Sequence, residues 1–202
     1  MGSRGGRVRA ALASAFVACA ALSAPSIAAD AVVPDASSPP AEYLTLIQEA
    51  RFGVFWHDPN NTEQAPIDLS VETLSSNLPV PSFSNPYLDW FAHPRIALGA
   101  MLNTGGKTSY AFGSFNWRIP IYKIVFFEGE FGGAVDNSPD YHGPRRLDLG
   151  CPVTFRESAG FGLQLSPNWD VILSAEHISH ATLCTKKNEG VSDVGVRIGY
   201  KF

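Results

Sequence analysis

From Tyr43 to Phe202 apolar and polar residues alternate in segments of about ten, and a repeat of two is that of a β-strand. The last segment shows it best. Val194, Val196, Ile198, Tyr200 and Phe202 share one face, while Asp193, Gly195, Arg197, Gly199 and Lys201 share the other. Over 169–180 the apolar face is Trp169, Val171, Leu173 and Ala175. Val153, Phe155, Ala159, Phe161 and Leu163 give another such face, as do Val125, Phe127, Phe131 and Val135. Weaker alternation over 43–57, 67–76, 95–104 and 108–118 brings the expected strands to eight. Beyond residue 29 no apolar run approaches the roughly 18 residues of a spanning helix.

A soluble sandwich alternates too, so other features decide. The apolar faces carry large side chains and the opposite faces Arg, Glu, Ser and Gly; Trp169, Tyr200 and Phe202 sit at strand ends, where a membrane interface favours aromatics; the last strand ends in Phe. The expected fold is all-β, an eight-stranded antiparallel up-and-down transmembrane β-barrel over 43–202. With both ends in the periplasm, the turn Ser166–Asn168 lies inside and the longer segments 136–150 and 181–190 outside. The connection 77–94 is long for an inner turn, and its Trp90 and Phe91 suit a membrane surface.

Residues 1–29 read as a cleaved secretory signal: Arg4, Arg7 and Arg9, then the apolar run Ala11–Ala21, then Ser26-Ile27-Ala28-Ala29. Cys19 interrupts that run instead of closing it, unlike a lipidation site. Residues 30–42, rich in Pro, Ser and Ala, read as a flexible leader. Past the signal, 12 Lys and Arg face 19 Asp and Glu, which argues against a nucleic-acid partner. Cys151 and Cys184 both fall in outer segments, and an even number of thiols in an exported chain permits a disulfide.

On the seventh strand His177 and Ser179 share the apolar face of Val171, Leu173 and Ala175. Polar groups are costly there, less so at the rim, so the pair reads either as two rim residues or as a nucleophile with its base. His57, His93 and His142 stand apart from one another and from acids at ligand spacing, and His177 and His180 point to opposite faces, so no metal is expected. Inward Glu128, Glu130, Arg156, Glu176, Arg197 and Lys201 read as a plug of salt bridges.

The chain resembles the outer-membrane lipid A 3-O-deacylases, a family of acyloxyacyl hydrolases. The resemblance is densest from Phe155-Arg156-Glu157-Ser158 onward: Glu176-His177-Ile178-Ser179-His180-Ala181, then Leu183, Asn188 and Gly190, then Gly195 to Phe202. Gly53-Val54, His57-Asp58, Leu102-Asn103-Thr104 and Gly132-Gly133-Ala134-Val135 match as well. The resemblance implies a serine esterase of the Gram-negative outer membrane that needs no cofactor and removes the 3-linked acyl chain of lipid A, the membrane anchor of lipopolysaccharide. Ser179 would be its nucleophile and His177 its general base. The readings that compete are a non-catalytic structural or adhesive outer-membrane barrel and a soluble lipid-binding barrel; a homodimer is left open.

Two positions depart from the family pattern. His180 stands where Asn usually follows the Ser and is the oxyanion candidate, through its ring or its backbone N–H. Ser192 stands ten residues before the terminal Phe, where the best-known members have the Glu of the triad. Glu189 and Asp193 are alternative acids, but one lies in a loop and the other faces inward. Glu157 is the preferred acid. It interrupts an apolar face, and counting back from a Leu165–Trp169 pair places it opposite His177.

Overall fold

The computed structural model describes residues 43–59, 63, 67–138, 146–184 and 188–202. The signal, the leader and His142 lie outside the described residues. Eight strands follow one another: β1 (Glu49–Trp56), β2 (Asp68–Asn77), β3 (Arg95–Asn103), β4 (Tyr110–Tyr122), β5 (Val125–Asp136), β6 (Val153–Gln164), β7 (Trp169–Ser179) and β8 (Val191–Lys201), with one helix, α1 (Pro86–Ala92), between β2 and β3. Each strand pairs antiparallel with the next, and β8 closes on β1. Closure follows from the alternation: the sheet has one greasy and one polar face, and curling it places the polar face inside while leaving no unpaired edge.

The lumen is filled. Arg51 bonds Glu49 at 2.6 Å and Glu128 at 2.7 Å, Arg156 bonds Glu130 at 2.6 Å and Glu176 at 2.9 Å, and Arg197 pairs with Glu176. Lys201 and Arg118 both hold Asp170. Arginines also lie over inward rings, Arg156 above Phe112 at 3.6 Å and Arg118 above Phe126 at 3.8 Å. The Phe126 ring occupies the space that a Cβ at Gly162 would need. Outside, Phe52, Val71, Leu98, Phe131, Phe161, Leu173, Val196 and Ile198 are exposed around the wall, an apolar face suited to lipid.

Connections divide as the alternation predicts. The end at which β1 begins and β8 stops has the two-residue turn Lys123-Ile124 and the turn at 165–168, where the Leu165 N–H donates to Trp169 O. The connection 78–94, with α1, is the exception at this end; the remaining long connections lie at the other, the outer end. There Leu147 and Leu149 are fully buried against Phe55, Tyr110, Ile178 and Val191, so the β5–β6 connection folds into the mouth. Cys151 and Cys184 form a disulfide beside it, their Cα atoms 6.2 Å apart.

Strand limits differ from the expectation at two places. β1 begins at Glu49, not Tyr43, because its partners end: β8 stops at Lys201 opposite Glu49, and β2 shifts register beyond Leu74. β4 runs on to Tyr122, which leaves the shortest inner turn behind it.

Candidate active site

The short β6–β7 turn fixes what faces what. Starting from the Leu165–Trp169 pair, register places Glu157 opposite His177 and Phe155 opposite Ser179. On the other side His177 is opposite Ser192 of β8. Phe131, Glu157, His177 and Ser192 therefore form one rung across four strands, all on the outer wall. Ser179 follows His177 at the outer end of β7 on the same face, and both side chains are half-buried. Phe155 stacks on Phe131, with centroids 6.0 Å apart, and Ala159 and Ala175 make the next rung inward.

His177 is held on two sides. Its Nδ1 lies 2.8 Å from Ser192 Oγ. With Nδ1 protonated it donates to that hydroxyl, and Nε2 keeps the lone pair that a general base needs. Gly190, at φ 66°, lies against the Cε1–Nε2 edge of the ring: a Cβ there would stand 2.7 Å from Cε1 and 3.1 Å from Nε2. Only glycine combines that backbone with that closeness. His177 and Ser179 share no hydrogen bond in this conformation, and catalytic hydrogen bonds commonly tighten only around substrate.

Glu157 has the expected register but not the expected bond. Ser192 occupies Nδ1, and Glu157 is exposed on the far side of the imidazole with no hydrogen bond to it among the described residues. The residue passed over for want of a carboxylate is thus the one that touches the ring. The sequence signal was present, since Ser192 is the position that the family pattern assigns to the acid.

His180 is tied into the β7–β8 connection by its backbone N–H and its ring Nδ1. Its ring is buried, with Nδ1 accepting from the Cys184 N–H at 3.4 Å, and its own backbone N–H donates to Asn188 Oδ1 at 3.3 Å. The β7–β8 connection thus engages the backbone donor and one ring nitrogen, because a buried loop must satisfy its backbone from the nearest side chains. The alternative acids are also engaged elsewhere. Glu189 accepts from the Asp148 N–H at 2.9 Å, tying two outer connections together. Asp193 is buried in the lumen, where it accepts from the Asp58 N–H and from Tyr110 Oη–H.

His57 is not isolated from acids, contrary to the spacing argument. Its Nδ1 lies 2.7 Å from Asp68 and 3.5 Å from Asp193, and its Nε2 lies 2.9 Å from Glu63. Barrel closure joins residues far apart in sequence. Burial alone would lower the pKa of His57; the hydrogen bonds to Asp68 and Glu63 outweigh it and raise the value to about 10. Burial would raise that of Glu63, but the bonds from His57 and from Thr108 lower it to about 2. Asp68, Asp193 and His57 also have the spacing of a cation site. Through its two ring nitrogens His57 ties Glu63 of the β1–β2 loop to Asp68 of β2, with Asp193 of β8 alongside, a clasp between the loop and the wall.

Comparison with known proteins bears on the fold and the family. No curated protein matches the chain. Its fold superposes on the crystal structure of the outer membrane enzyme PagL with a TM-score of 0.57 at 16% identity, over 76% of this chain and 99% of that one. Neisserial surface protein A follows with a TM-score of 0.48 at 10% identity, over 80% and 100%. At such identities the likeness is one of fold. The sequence itself decides the family: residues 40–201 match the profile described as lipid A 3-O-deacylase (PagL). This outer-membrane β-barrel belongs to the lipid A 3-O-deacylase (PagL) family.

Proposed function

We propose that Ser179 and His177 carry the deacylation, with Ser192 and Glu157 dividing between them the work of a triad acid. Ser179 Oγ attacks the ester carbonyl carbon at the 3-position of lipid A while His177 Nε2 takes its proton. The tetrahedral intermediate collapses, His177 returns the proton to the sugar oxygen, and the acyl group stays on Ser179. Water, deprotonated by the same imidazole, attacks the acyl carbonyl carbon, and His177 returns that proton to Ser179 Oγ as the Oγ–carbon bond breaks and the fatty acid leaves. Ser192 holds the ring in the tautomer with its lone pair on Nε2. Glu157 supplies negative charge across the strand as the imidazolium forms.

The observation that supports this reading is the single outward rung of Glu157, His177 and Ser192, with Ser179 beside it at the outer end of β7. Such a site needs no pocket, because the substrate is already in the membrane and reaches the wall by lateral diffusion. Export through the signal at 1–29 would put that end in the lipopolysaccharide leaflet. The test is lipid A mass spectrometry from cells expressing the chain or Ser179→Ala. Loss of one 3-linked acyl chain with the wild type alone is the expected result. Equal loss with both would remove Ser179 from the mechanism.

A further inference from the structure

At the inner end the connection from β2 to β3 places α1 against the outside of the barrel. Asn85 caps the helix, its side chain accepting from the N–H groups of Tyr87 and Leu88. Seven residues make a marginal helix unaided. This one is lashed to β4: the Trp90 indole N–H donates to Arg118 O at 3.2 Å, and the Trp117 indole N–H donates to Phe91 O at 2.9 Å. Phe91 stacks on Trp117, with centroids 5.3 Å apart and planes 9° apart. Trp117 has the parity of Phe115 and Ile119, both exposed, so the helix lies on the apolar wall and not in the lumen.

Fixed there, α1 buries none of its own residues. Phe83, Tyr87, Leu88 and Phe91 are 51%, 81%, 57% and 60% exposed. Both indole donors are satisfied within the protein, so water is not needed at that surface. At the neighbouring β4–β5 turn Lys123 lies over the Tyr122 ring, a cation with an aromatic at the level where anionic headgroups begin.

We propose that residues 83–91 form a foot that binds the phospholipids of the inner leaflet, with Phe83, Tyr87, Leu88 and Phe91 at the boundary between headgroups and acyl chains. The occupant follows from continuity. Through the Phe91–Trp117 stack the patch is one surface with the barrel wall, which lipid already covers. A foot on one side of the barrel sets its depth and roll in the membrane. It therefore also sets the height at which Ser179 meets the outer leaflet.

The test uses the whole chain, disulfide intact, in nanodiscs of phosphatidylethanolamine and phosphatidylglycerol, with labelled Leu methyl groups and Phe and Tyr rings observed by NMR. A lipid carrying a nitroxide high on its acyl chain is compared with a water-soluble gadolinium chelate. Leu98 and Leu173 on the wall calibrate lipid contact, Leu183 in the outer loop calibrates water contact, and Leu147 in the mouth calibrates burial. Leu88, Phe83, Tyr87 and Phe91 should lose intensity to the nitroxide as strongly as Leu98 and Leu173 and keep it with the chelate. Broadening by the chelate alone would place the foot in water. Protection from both probes would mean that protein covers it, a second copy included. Either result overturns the proposal.

Discussion

Gly190→Ala tests the catalytic reading more sharply than removal of a catalytic group. The new Cβ would stand 2.7 Å from His177 Cε1 and 3.1 Å from Nε2. Carbon atoms settle at roughly 3.5–4.0 Å, so the ring must retreat by about 1 Å. That movement draws Nδ1 from Ser192 and Nε2 from its working position. A displacement of this size in a catalytic group costs on the order of 10²-fold in rate, or about 2.7 kcal/mol of barrier. Alanine at positive φ adds a separate backbone cost of about 1–2 kcal/mol, which lowers stability but not turnover. Gly106→Ala separates the two effects, because Gly106 has φ 70° and nothing within 4 Å of a built Cβ. Turnover of lipid A in detergent micelles would be measured for both variants, with heat-modifiable gel mobility as the test of folding. Both should fold with similar loss of stability, and only Gly190→Ala should lose turnover. If Gly190→Ala stays within about threefold of Gly106→Ala, the imidazole is not the positioned base argued for here.

The remaining predictions concern the neighbours of His177 and the outer clasp. Ser192→Ala removes one hydrogen bond, worth about 1 kcal/mol, and should lower kcat by roughly fivefold. Ser192→Glu should raise kcat above wild type, since an ionised partner at Nδ1 stabilises the imidazolium directly; a fall in kcat with the barrel intact would contradict the assignment. Glu157→Gln should cost about tenfold in kcat, acting through charge alone, while Glu189→Gln leaves turnover near wild type; the reverse order would move the acid to the loop. The His57 clasp stabilises the fold fully below pH 6.5, the ordinary value of His57, and loses that contribution as pH rises through about 10. The Glu63 part is present above 4.5 and lost as pH falls through about 2. Thermal unfolding of wild type against His57→Gln should show the difference shrinking on the alkaline side, and parallel curves would refute the clasp.

The barrel was legible because a period of two survives in every strand, and because the lipid face demands large apolar residues wherever chemistry does not intervene. Register at the site was legible for a local reason: a tight turn at 166–168 leaves one way to pair β6 with β7. Strand ends were less so. Where β1 begins depends on where β8 stops, which no pattern around Tyr43 records. The His57 clasp was hidden for the same reason on a larger scale, its partners Asp68 and Asp193 meeting only because β1 pairs with both β2 and β8. The ties of His180 to its loop were not legible either, because backbone requirements do not appear in side-chain parity.

Ser192 shows the limit of reasoning from residue type. Its position was found by counting from the terminal Phe, yet a hydroxyl there was read as a loss because a triad was expected to end in a carboxylate. In the proposed mechanism two duties that one carboxylate would combine are held by two residues. Holding the ring needs a partner at Nδ1, and a serine hydroxyl 2.8 Å away can be that partner, accepting when Nδ1 carries the proton. Stabilising the imidazolium needs negative charge nearby but no fixed hydrogen bond, and Glu157 on the facing strand meets that one. Charge and orientation can then be varied one at a time, as a triad with a single acid does not allow.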